Sequence, residues 1–322
     1  MRCGGSACLP LAEAHLECKD DASASLREIP RQARNDDEGV DQGMGHAIKV
    51  TGGKRIDLAE IETKVDGGLT REEGEARLAE LAAELGELQD LLYAAQTHAA
   101  LIVLQGLDTS GKDGTIRHVF REVNPVGCRV VSFKVPTQID LAHDFLWRVH
   151  KQAPGRGDFT VFNRSHYEDV LVVRVHDLAP EEVWRKRYDH INAFEQLLVD
   201  GRTIVTKFYL HISKEEQEKR LLERERDVTK AWKLAAGDWE ERRSWDKYIE
   251  AYDDAISACA TADAPWYVVP ADRKWFRNLA IAEAIVDLLR PHKDSWLQEL
   301  ETRGEAELKA IRETRASGKR GA

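Results

Sequence analysis

Residues 99–112 read AALIVLQGLDTSGK, an apolar run followed directly by the pattern Gly-x-x-x-x-Gly-Lys. An apolar run of this length predicts a buried strand. Gly106 and Gly111 allow the tight turn in which successive backbone N–H groups point at phosphate oxygens, and Lys112 adds a cation. The helix predicted after the lysine would also attract an anion at its N-terminus. We therefore predict a phosphate-binding loop; the alternative is an ordinary glycine-rich turn between a strand and a helix.

The composition is that of a globular protein. The chain has 322 residues, of which 42% are hydrophobic and 32% charged. The apolar run at 99–104 is far shorter than a membrane span. The first residues lack the basic and apolar regions of a secretory signal, so we expect a cytoplasmic protein without a membrane partner. The five cysteines have no metal-ligand spacing, which argues against a zinc site.

The net charge of −10 does not argue against an anionic ligand, because the acidic residues are unevenly distributed. Residues 1–104 hold 20 acidic and 11 basic side chains, which leaves 37 acidic and 36 basic side chains in the rest of the chain. Dense basic stretches there provide local positive potential for phosphates. The sequence contains no strongly basic face or aromatic RNA-binding motif, so we do not expect a nucleic-acid partner.

The pattern along the chain predicts an α/β fold. A capping box formed by Thr70 and Glu73 starts a helix, along which leucines recur at three- and four-residue spacing. Beyond it, short apolar runs alternate with helical segments, which favours a parallel sheet covered by helices on both faces. The predicted strands are 99–105, 128–134, 159–162, 203–212 and 266–269, and the predicted helices are 115–122, 140–151, 180–199, 214–226, 239–260 and 272–289.

The loop departs from the common pattern after its lysine. Asp113 occupies the position where Ser or Thr usually contacts magnesium. Asp108, inside the loop, is the best candidate metal ligand because a carboxylate there would lie beside bound phosphates. Asp113 could instead cap the helix. The phosphate-binding residues predicted from this loop are Gly106, Ser110, Gly111, Lys112, Asp113, Gly114 and Thr115.

A second group of polar residues follows the predicted strand 159–162. The carboxyl ends of parallel strands are where open α/β sheets bind ligands. Asn163 stands where most phosphate-loop proteins carry a metal-binding Asp, and Arg164 can hold a phosphoryl group during its transfer. The alternative for Arg164 is a structural salt bridge. Glu168 lies close enough to contact a nucleotide, or is an exposed residue in the first turn of a helix.

A third group lies in the basic segment that begins near residue 214. Arg220 and Arg224 are four residues apart, so they share one helix face and could close over phosphates as a lid. Lys230 and Lys233 follow as further phosphate-binding candidates. The alternative is a solvated helix with many ion pairs.

In these motifs the chain resembles the polyphosphate kinase 2 family over residues 50–291. The resemblance is carried by GLDTSGKDGTIRH at 106–118, SFKVPT at 132–137, FNRSHYEDVL at 162–171, KAWK at 230–233 and APWYVVP at 264–270. It implies a P-loop kinase fold similar to thymidylate kinase, with a parallel sheet flanked by helices and a helical lid. It also implies phosphoryl transfer between inorganic polyphosphate and nucleotides, with Mg²⁺ or alternatively Mn²⁺, by a homo-oligomer.

The resemblance also implies roles for individual residues. Asp108 corresponds to the metal-associated loop acid, and the catalytic candidates are Asp108, Lys112, Arg164 and Arg224. Asn163 departs from branches of the family with Asp-Arg-Ser here. The pattern Asn-Arg-Ser-x-Tyr-Glu instead resembles the class III branch, which accepts nucleoside monophosphates and diphosphates. The nucleotide-binding candidates are Lys134, Asn163, Arg164 and Glu168, with 133–137 and 143–148 lining the nucleotide side and the mouth of the polyphosphate channel.

Four regions are expected along the chain. Residues 1–45 form a disordered extension without aromatic or periodic apolar residues. Residues 46–98 form an N-terminal arm and helix, and residues 99–291 form the P-loop phosphotransferase domain with a lid at about 214–238. Residues 292–322 form a C-terminal helix and tail.

Two other functions remain open at this stage. An ATP-dependent kinase of a nucleotide or another small metabolite would use the same loop, arginine and lid. A non-catalytic nucleotide-binding module would explain the missing Ser or Thr after Lys112 and the Asn at position 163. Retention of Asp108 and the basic lid residues argues against the second alternative.

Overall fold

The computed structural model describes residues 40–41, 45–52, 55–227 and 236–318. The described residues belong to one compact unit. Most of the predicted extension, 1–45, therefore lies outside the described residues, as do Lys230 and Lys233. Residues 40–41 do form a strand, which corrects the prediction that this part of the extension is disordered.

A seven-stranded sheet forms the centre of the described structure. Its strands are β1 (Val40–Asp41), β2 (Ile48–Val50), β3 (Ala99–Gln105), β4 (Cys128–Ser132), β5 (Phe159–Asn163), β6 (Thr203–His211) and β7 (Trp266–Pro270). Their spatial order is β1-β2-β7-β6-β3-β5-β4.

The five predicted strands are the five parallel ones, β4, β5, β3, β6 and β7, with ends shifted by one or two residues. Strand β3 is central and completely buried, as the apolar run 99–104 predicts. The antiparallel strands β1 and β2 extend the sheet beyond β7 and are not predicted, because they are two and three residues long in a polar segment.

Helices cover the sheet. They are α1 (Arg71–Ala95), α2 (Lys112–Val119), α3 (Gln138–Leu141), α4 (Trp147–His150), α5 (Val172–Val175), α6 (Glu181–Asp200), α7 (Lys214–Arg226), α8 (Ala236–Arg243), α9 (Trp245–Cys259), α10 (Lys274–Leu289) and α11 (Lys293–Gly318). Single turns of 3-10 helix occupy Leu58–Glu60, His166–Asp169 and Arg290–His292. No helix in the described part of the chain is long and apolar enough to cross a membrane.

Two predicted helices are interrupted. The segment 140–151 forms α3 and α4 instead of one helix, because the Asp144 side chain accepts a hydrogen bond from the backbone N–H of Leu146 (3.0 Å) and so favours a turn. The segment 239–260 is divided at Ser244 into α8 and α9.

Helix α1 begins with the predicted capping box. The Thr70 hydroxyl accepts a hydrogen bond from the backbone N–H of Glu73 (3.2 Å), and the Glu73 carboxylate accepts one from the backbone N–H of Thr70 (2.8 Å). The leucine stripe faces the core, which satisfies the apolar pattern of the sequence. Its members Leu78, Leu81, Leu85, Leu88 and Leu92 are all buried.

Helix α11 begins against the core and then becomes exposed. Trp296 is completely buried, and its indole Nε1–H donates a hydrogen bond to His98 Nδ1 (3.1 Å). Residues 305–315 are exposed, as the charged C-terminal segment predicts.

Removal of the cap on α1 should destabilise the protein. We expect Thr70→Ala to lower the free energy of unfolding by about 1 kcal/mol, because the substitution leaves a backbone N–H of the first turn without its side-chain partner. Chemical denaturation measures the change. Thr302→Ala is the matched control, because the Thr302 hydroxyl donates to the Gln298 carbonyl in mid-helix and caps no N–H group. Equal losses in the two variants would contradict the assignment of the cap.

Candidate functional site

The predicted phosphate loop joins the carboxyl end of β3 to the N-terminus of α2. Gly111 caps α2 with φ 105°, and no side chain caps its first N–H groups. A Cβ atom on Gly111 would lie 1.8 Å from Nη1 of Arg277, so only glycine fits there. Since uncapped N–H groups at a helix start attract anions, the loop has the geometry of an anion-binding site.

Lys112 is folded back onto this loop. Its ammonium group donates hydrogen bonds to the carbonyls of Gly106 (2.6 Å) and Leu107 (3.3 Å) and is buried. Burial lowers the pKa of Lys112 to about 8, and the nearby Arg164 guanidinium contributes to the lowering. A bound anion would favour the charged form of the lysine.

The loop also holds polar side chains that lack a partner. The hydroxyl groups of Ser110 and Thr115 are buried and make no hydrogen bond within the described part of the chain. A buried hydroxyl without a partner costs free energy, so these two groups fit a polar ligand on the loop.

Arg164 connects the loop to the second predicted group. It follows β5 with φ 63°, in the left-handed region, which is uncommon for residues other than glycine. Its Nη2 pairs with the Asp108 carboxylate of the loop, and its Nη1 donates to Glu168 Oε2 (3.1 Å). Burial disfavours the charge on Arg164, but Glu168 and Asp108 outweigh that effect and raise its pKa. The arginine is therefore a fixed cation between two carboxylates.

Asn163 contacts the start of α2. Its Nδ2 donates to Asp113 Oδ1 (2.9 Å), which links the end of β5 to the first turn after the loop. Gly114 lies in the same turn, next to Arg277. A Cβ atom at position 114 would be 3.4 Å from Arg277 Nη2.

A cavity of about 800 Å³ opens beside the loop. Its lining includes Gly106, Asp108, Arg164 and Glu168 together with several apolar and aromatic side chains. A cavity lined by both charged groups and apolar walls suits a ligand with a charged and a flat apolar part. The other lining residues include Phe133, Lys134, Val135, Pro136, Arg148, Val172, Leu178, Arg187, Arg242, Trp245 and Tyr248.

Three further arginines line the cavity: Arg148 belongs to the predicted segment 143–148, whereas Arg187 and Arg242 are not predicted from the sequence. Arg148 donates to the Lys134 carbonyl (2.8 Å), and Arg187 donates to Asp169 Oδ1 (3.1 Å). Arg242, on α8, donates to Gln217 Oε1 (3.1 Å) and so connects the cavity wall to α7. Arg187 and Arg242 are single arginines without a motif, so no spacing in the sequence distinguishes them from surface cations.

The lid arginines differ from their predicted positions. Arg220 is 5% exposed, and its guanidinium donates to the carbonyls of Thr109 and Ser110 (both 3.0 Å) and of Ala271 (2.7 Å). It therefore contacts the loop from behind, and its donors are engaged with backbone instead of facing a phosphate. Arg224 is half-buried on α7 and does not line the cavity.

The described residues contain no group of three or more His, Cys, Asp or Glu side chains placed to hold a metal ion. Asp108 is the carboxylate within the loop 106–112, and its side chain is 30% exposed. A divalent cation held by Asp108 would need further oxygen ligands, which phosphates and water can supply.

The comparisons with known proteins agree with this geometry. The sequence profile of the family Polyphosphate kinase 2 (PPK2) matches residues 68–295. An AMP/ADP-polyphosphate phosphotransferase from Meiothermus ruber is 55% identical over 66% of this chain and 79% of its own length. An ADP-polyphosphate phosphotransferase from Rhodopseudomonas palustris is 43% identical over 77% of this chain and 91% of its own length.

A solved structure has the same fold. The crystal structure of polyphosphate kinase 2 from Arthrobacter aurescens TC1 superimposes with a TM-score of 0.72 at 41% identity, covering 74% of this chain and 87% of that one. The predicted fold, a mostly parallel sheet flanked by helices with a phosphate loop after β3, is thereby confirmed. The chain belongs to the polyphosphate kinase 2 family.

Proposed function

We propose that the protein transfers phosphoryl groups between inorganic polyphosphate and adenine nucleotides, converting AMP to ADP and ADP to ATP. The names of its relatives from Meiothermus ruber and Rhodopseudomonas palustris support both acceptors. The observation that carries the proposal is the position of Arg164, which pairs with Asp108 of the phosphate loop and with Glu168 of the cavity. A phosphate chain on the loop and an acceptor in the cavity would meet at this arginine.

Charge stabilisation accounts for most of the proposed chemistry. Phosphoryl transfer needs alignment of the two substrates and cations around the transferred group more than a protein nucleophile. The uncapped N-terminus of α2 and Lys112 would hold the phosphate chain, with Gly106, Ser110, Gly111, Gly114 and Thr115 forming its cradle. Arg164 would release one of its two carboxylate partners and bind an oxygen of the transferred group instead. It would thereby place a cation where negative charge develops during transfer.

The acceptor would occupy the cavity of about 800 Å³. Its base would lie on the apolar and aromatic wall, and its phosphates would point toward Arg164. Glu168 and Lys134 line the cavity, Lys134 with its side chain exposed to solvent, and Asn163 directly precedes Arg164 in the chain. We keep these three as the proposed nucleotide-binding residues together with Arg164.

A divalent cation, Mg²⁺ or alternatively Mn²⁺, would have one protein ligand at this site. The Asp108 carboxylate offers an oxygen of the kind that such ions prefer. When bound, such an ion would neutralise charge on neighbouring phosphate oxygens. Asp108 would then share its carboxylate between the ion and Arg164. The predicted homo-oligomer and the cytoplasmic location stay predictions.

The donor and acceptors can be tested directly. We expect the purified protein with Mg²⁺ and polyphosphate to convert AMP to ADP and then to ATP, as followed by nucleotide chromatography. ATP with AMP, without polyphosphate, is the matched reaction for an ATP-dependent kinase. Transfer from ATP alone would contradict the proposal, and transfer from neither donor would favour a binding module.

Loss of the loop cation should abolish transfer. We expect Lys112→Ala to lower kcat by at least about 100-fold, because a preorganised charge at the transferred group is lost. Lys219→Ala is the control, since Lys219 is an exposed lysine paired with Glu216 on α7. Circular dichroism checks that both variants are folded. Normal turnover by folded Lys112→Ala would refute the role of the loop.

The metal role of Asp108 should appear in a cation titration. We expect Asp108→Asn to need a higher Mg²⁺ concentration for half-maximal activity, or to lose activity, because a neutral oxygen binds the ion more weakly. Asp113→Asn is the comparison. An unchanged titration for Asp108→Asn and a shifted one for Asp113→Asn would assign the metal role to Asp113.

Glu168 should discriminate between acceptors. ADP carries one phosphate more than AMP, so the Glu168 carboxylate repels it more strongly. We expect Glu168→Gln to raise the ratio of kcat/KM for ADP to that for AMP several-fold. Glu250→Gln is the control, because Glu250 pairs with Arg174 outside the cavity lining. Initial rates measured with each acceptor separately give the ratio, and an unchanged ratio would remove Glu168 from the discrimination.

A further inference from the structure

Two buried guanidinium groups lie beneath the phosphate loop, on the side away from the cavity. Arg220 comes from α7 and Arg277 from the first turn of α10, and they are 5% and 2% exposed. Both donate to the carbonyl oxygen of Ser110, from Arg220 Nη1 at 3.0 Å and from Arg277 Nη1 at 3.1 Å. One loop carbonyl therefore accepts hydrogen bonds from two arginines.

Arg277 differs from Arg220 in having no counter-charge among the residues that the structure describes. Arg220 Nε pairs with Glu216 Oε1 (2.8 Å). Arg277 donates to the Asn278 side-chain oxygen (2.8 Å from Nη2) and to Ser110, and within the described ranges it makes no ion pair. Burial, together with the nearby charge of Arg220, lowers the pKa of Arg277 to about 9.

The surroundings add to this excess of positive charge. Arg277 packs against Gly111 and Gly114, at the N-terminal end of α2, where the helix dipole is positive. Burying an unpaired guanidinium beside another cation and a positive helix end is unfavourable for a protein without a ligand. Such an arrangement becomes favourable when an anion binds on the other face of the loop.

The peptide geometry connects the two faces. The described peptide bonds are all trans, so the carbonyl of Ser110 and the N–H of Gly111 in the same peptide point in opposite directions. Because the two arginines hold the carbonyl on their side, they direct this N–H toward the side where the phosphate chain would bind.

We infer that Arg277, with Arg220, is a positioning residue for the phosphate chain: it orients the loop peptide at Ser110–Gly111 and supplies a positive charge that the bound chain compensates. The inference rests on the proposed function, because it assumes that the loop binds polyphosphate. Arg277 does not contact the substrate; it acts through the loop backbone and through its charge.

This role differs from a structural one in its effect on the free protein. A structural arginine stabilises the protein with or without ligand. An arginine whose charge is compensated by ligand costs stability in the free protein, because replacing an unpaired buried charge by an apolar side chain of similar size is neutral or stabilising. It adds to the stabilisation that a bound phosphate chain provides.

The test compares Arg277→Met with the wild type by thermal unfolding, with and without tripolyphosphate and Mg²⁺. We expect an unchanged or higher Tm for the free variant, a smaller Tm increase with tripolyphosphate, and an affinity for tripolyphosphate about tenfold lower. In steady-state assays the KM for polyphosphate should rise while the KM for AMP stays within about twofold.

Arg303→Met is the matched control. Arg303 also donates to backbone carbonyls, those of Ala94 (3.0 Å) and Ala95 (3.3 Å), but on α11 and away from the loop. We expect a lower Tm for its free form and an unchanged increase with tripolyphosphate. The same pattern in Arg277→Met would assign Arg277 a structural role and overturn the inference.

Two further variants separate the effect of charge from that of hydrogen bonding. They also keep the inference testable if Arg277→Met does not fold. Arg277→Lys keeps the charge, and Arg277→Gln keeps a donor for the Ser110 carbonyl without the charge. We expect Arg277→Lys to bind tripolyphosphate within about threefold of the wild type and Arg277→Gln about tenfold more weakly. Wild-type affinity in Arg277→Gln would overturn the inference. Wild-type protein that neither binds tripolyphosphate nor uses polyphosphate would overturn the proposed function as well.

Discussion

A loop that turns its N–H groups toward an anion turns carbonyl groups the other way, and buried carbonyls need donors. This constraint explains much of the structure around residues 106–112. Arg220 and Arg277 supply donors from behind, and Lys112 supplies one from within the loop. Helices α7 and α10 must therefore pack where their arginines reach the loop. The parallel sheet fixes those positions, because β6 and β7 lead into α7 and α10 on the same edge as β3.

Sequence reasoning succeeds where one local pattern determines the structure. The capping box at Thr70, the leucine stripe of α1 and the completely buried strand β3 all follow from periodicity and side-chain chemistry. The loop is predicted because glycines, lysine and flanking elements agree at one place. The structure brings Asp108, Arg164 and Glu168 together because the neighbouring parallel strands β3 and β5 end at one edge, but the order of the strands is not predicted from the sequence.

Sequence reasoning fails where long-range packing decides which way a side chain faces. The four-residue spacing of Arg220 and Arg224 places both on one helix face but does not reveal whether that face meets the phosphate or the back of the loop. Arg220 meets the back, where its guanidinium donates to the buried carbonyls of Thr109 and Ala271. Arg277 and Arg242 give no signal, since single arginines occur throughout a charged sequence. Strand β2 is missed because its pairing with β7 depends on a partner more than 200 residues away.

The hydrogen bond from Asn163 to Asp113 bears on the resting state of the enzyme. A carboxylate at position 163 would place two negative charges at hydrogen-bond distance, an arrangement that requires a shared proton or a cation between them. The amide of Asn163 makes the contact without either. This contact between β5 and α2 therefore needs no metal ion to offset a charge repulsion. In a cell where divalent cations are largely sequestered by nucleotides and phosphates, the binding surface would be complete before its substrates arrive with the metal.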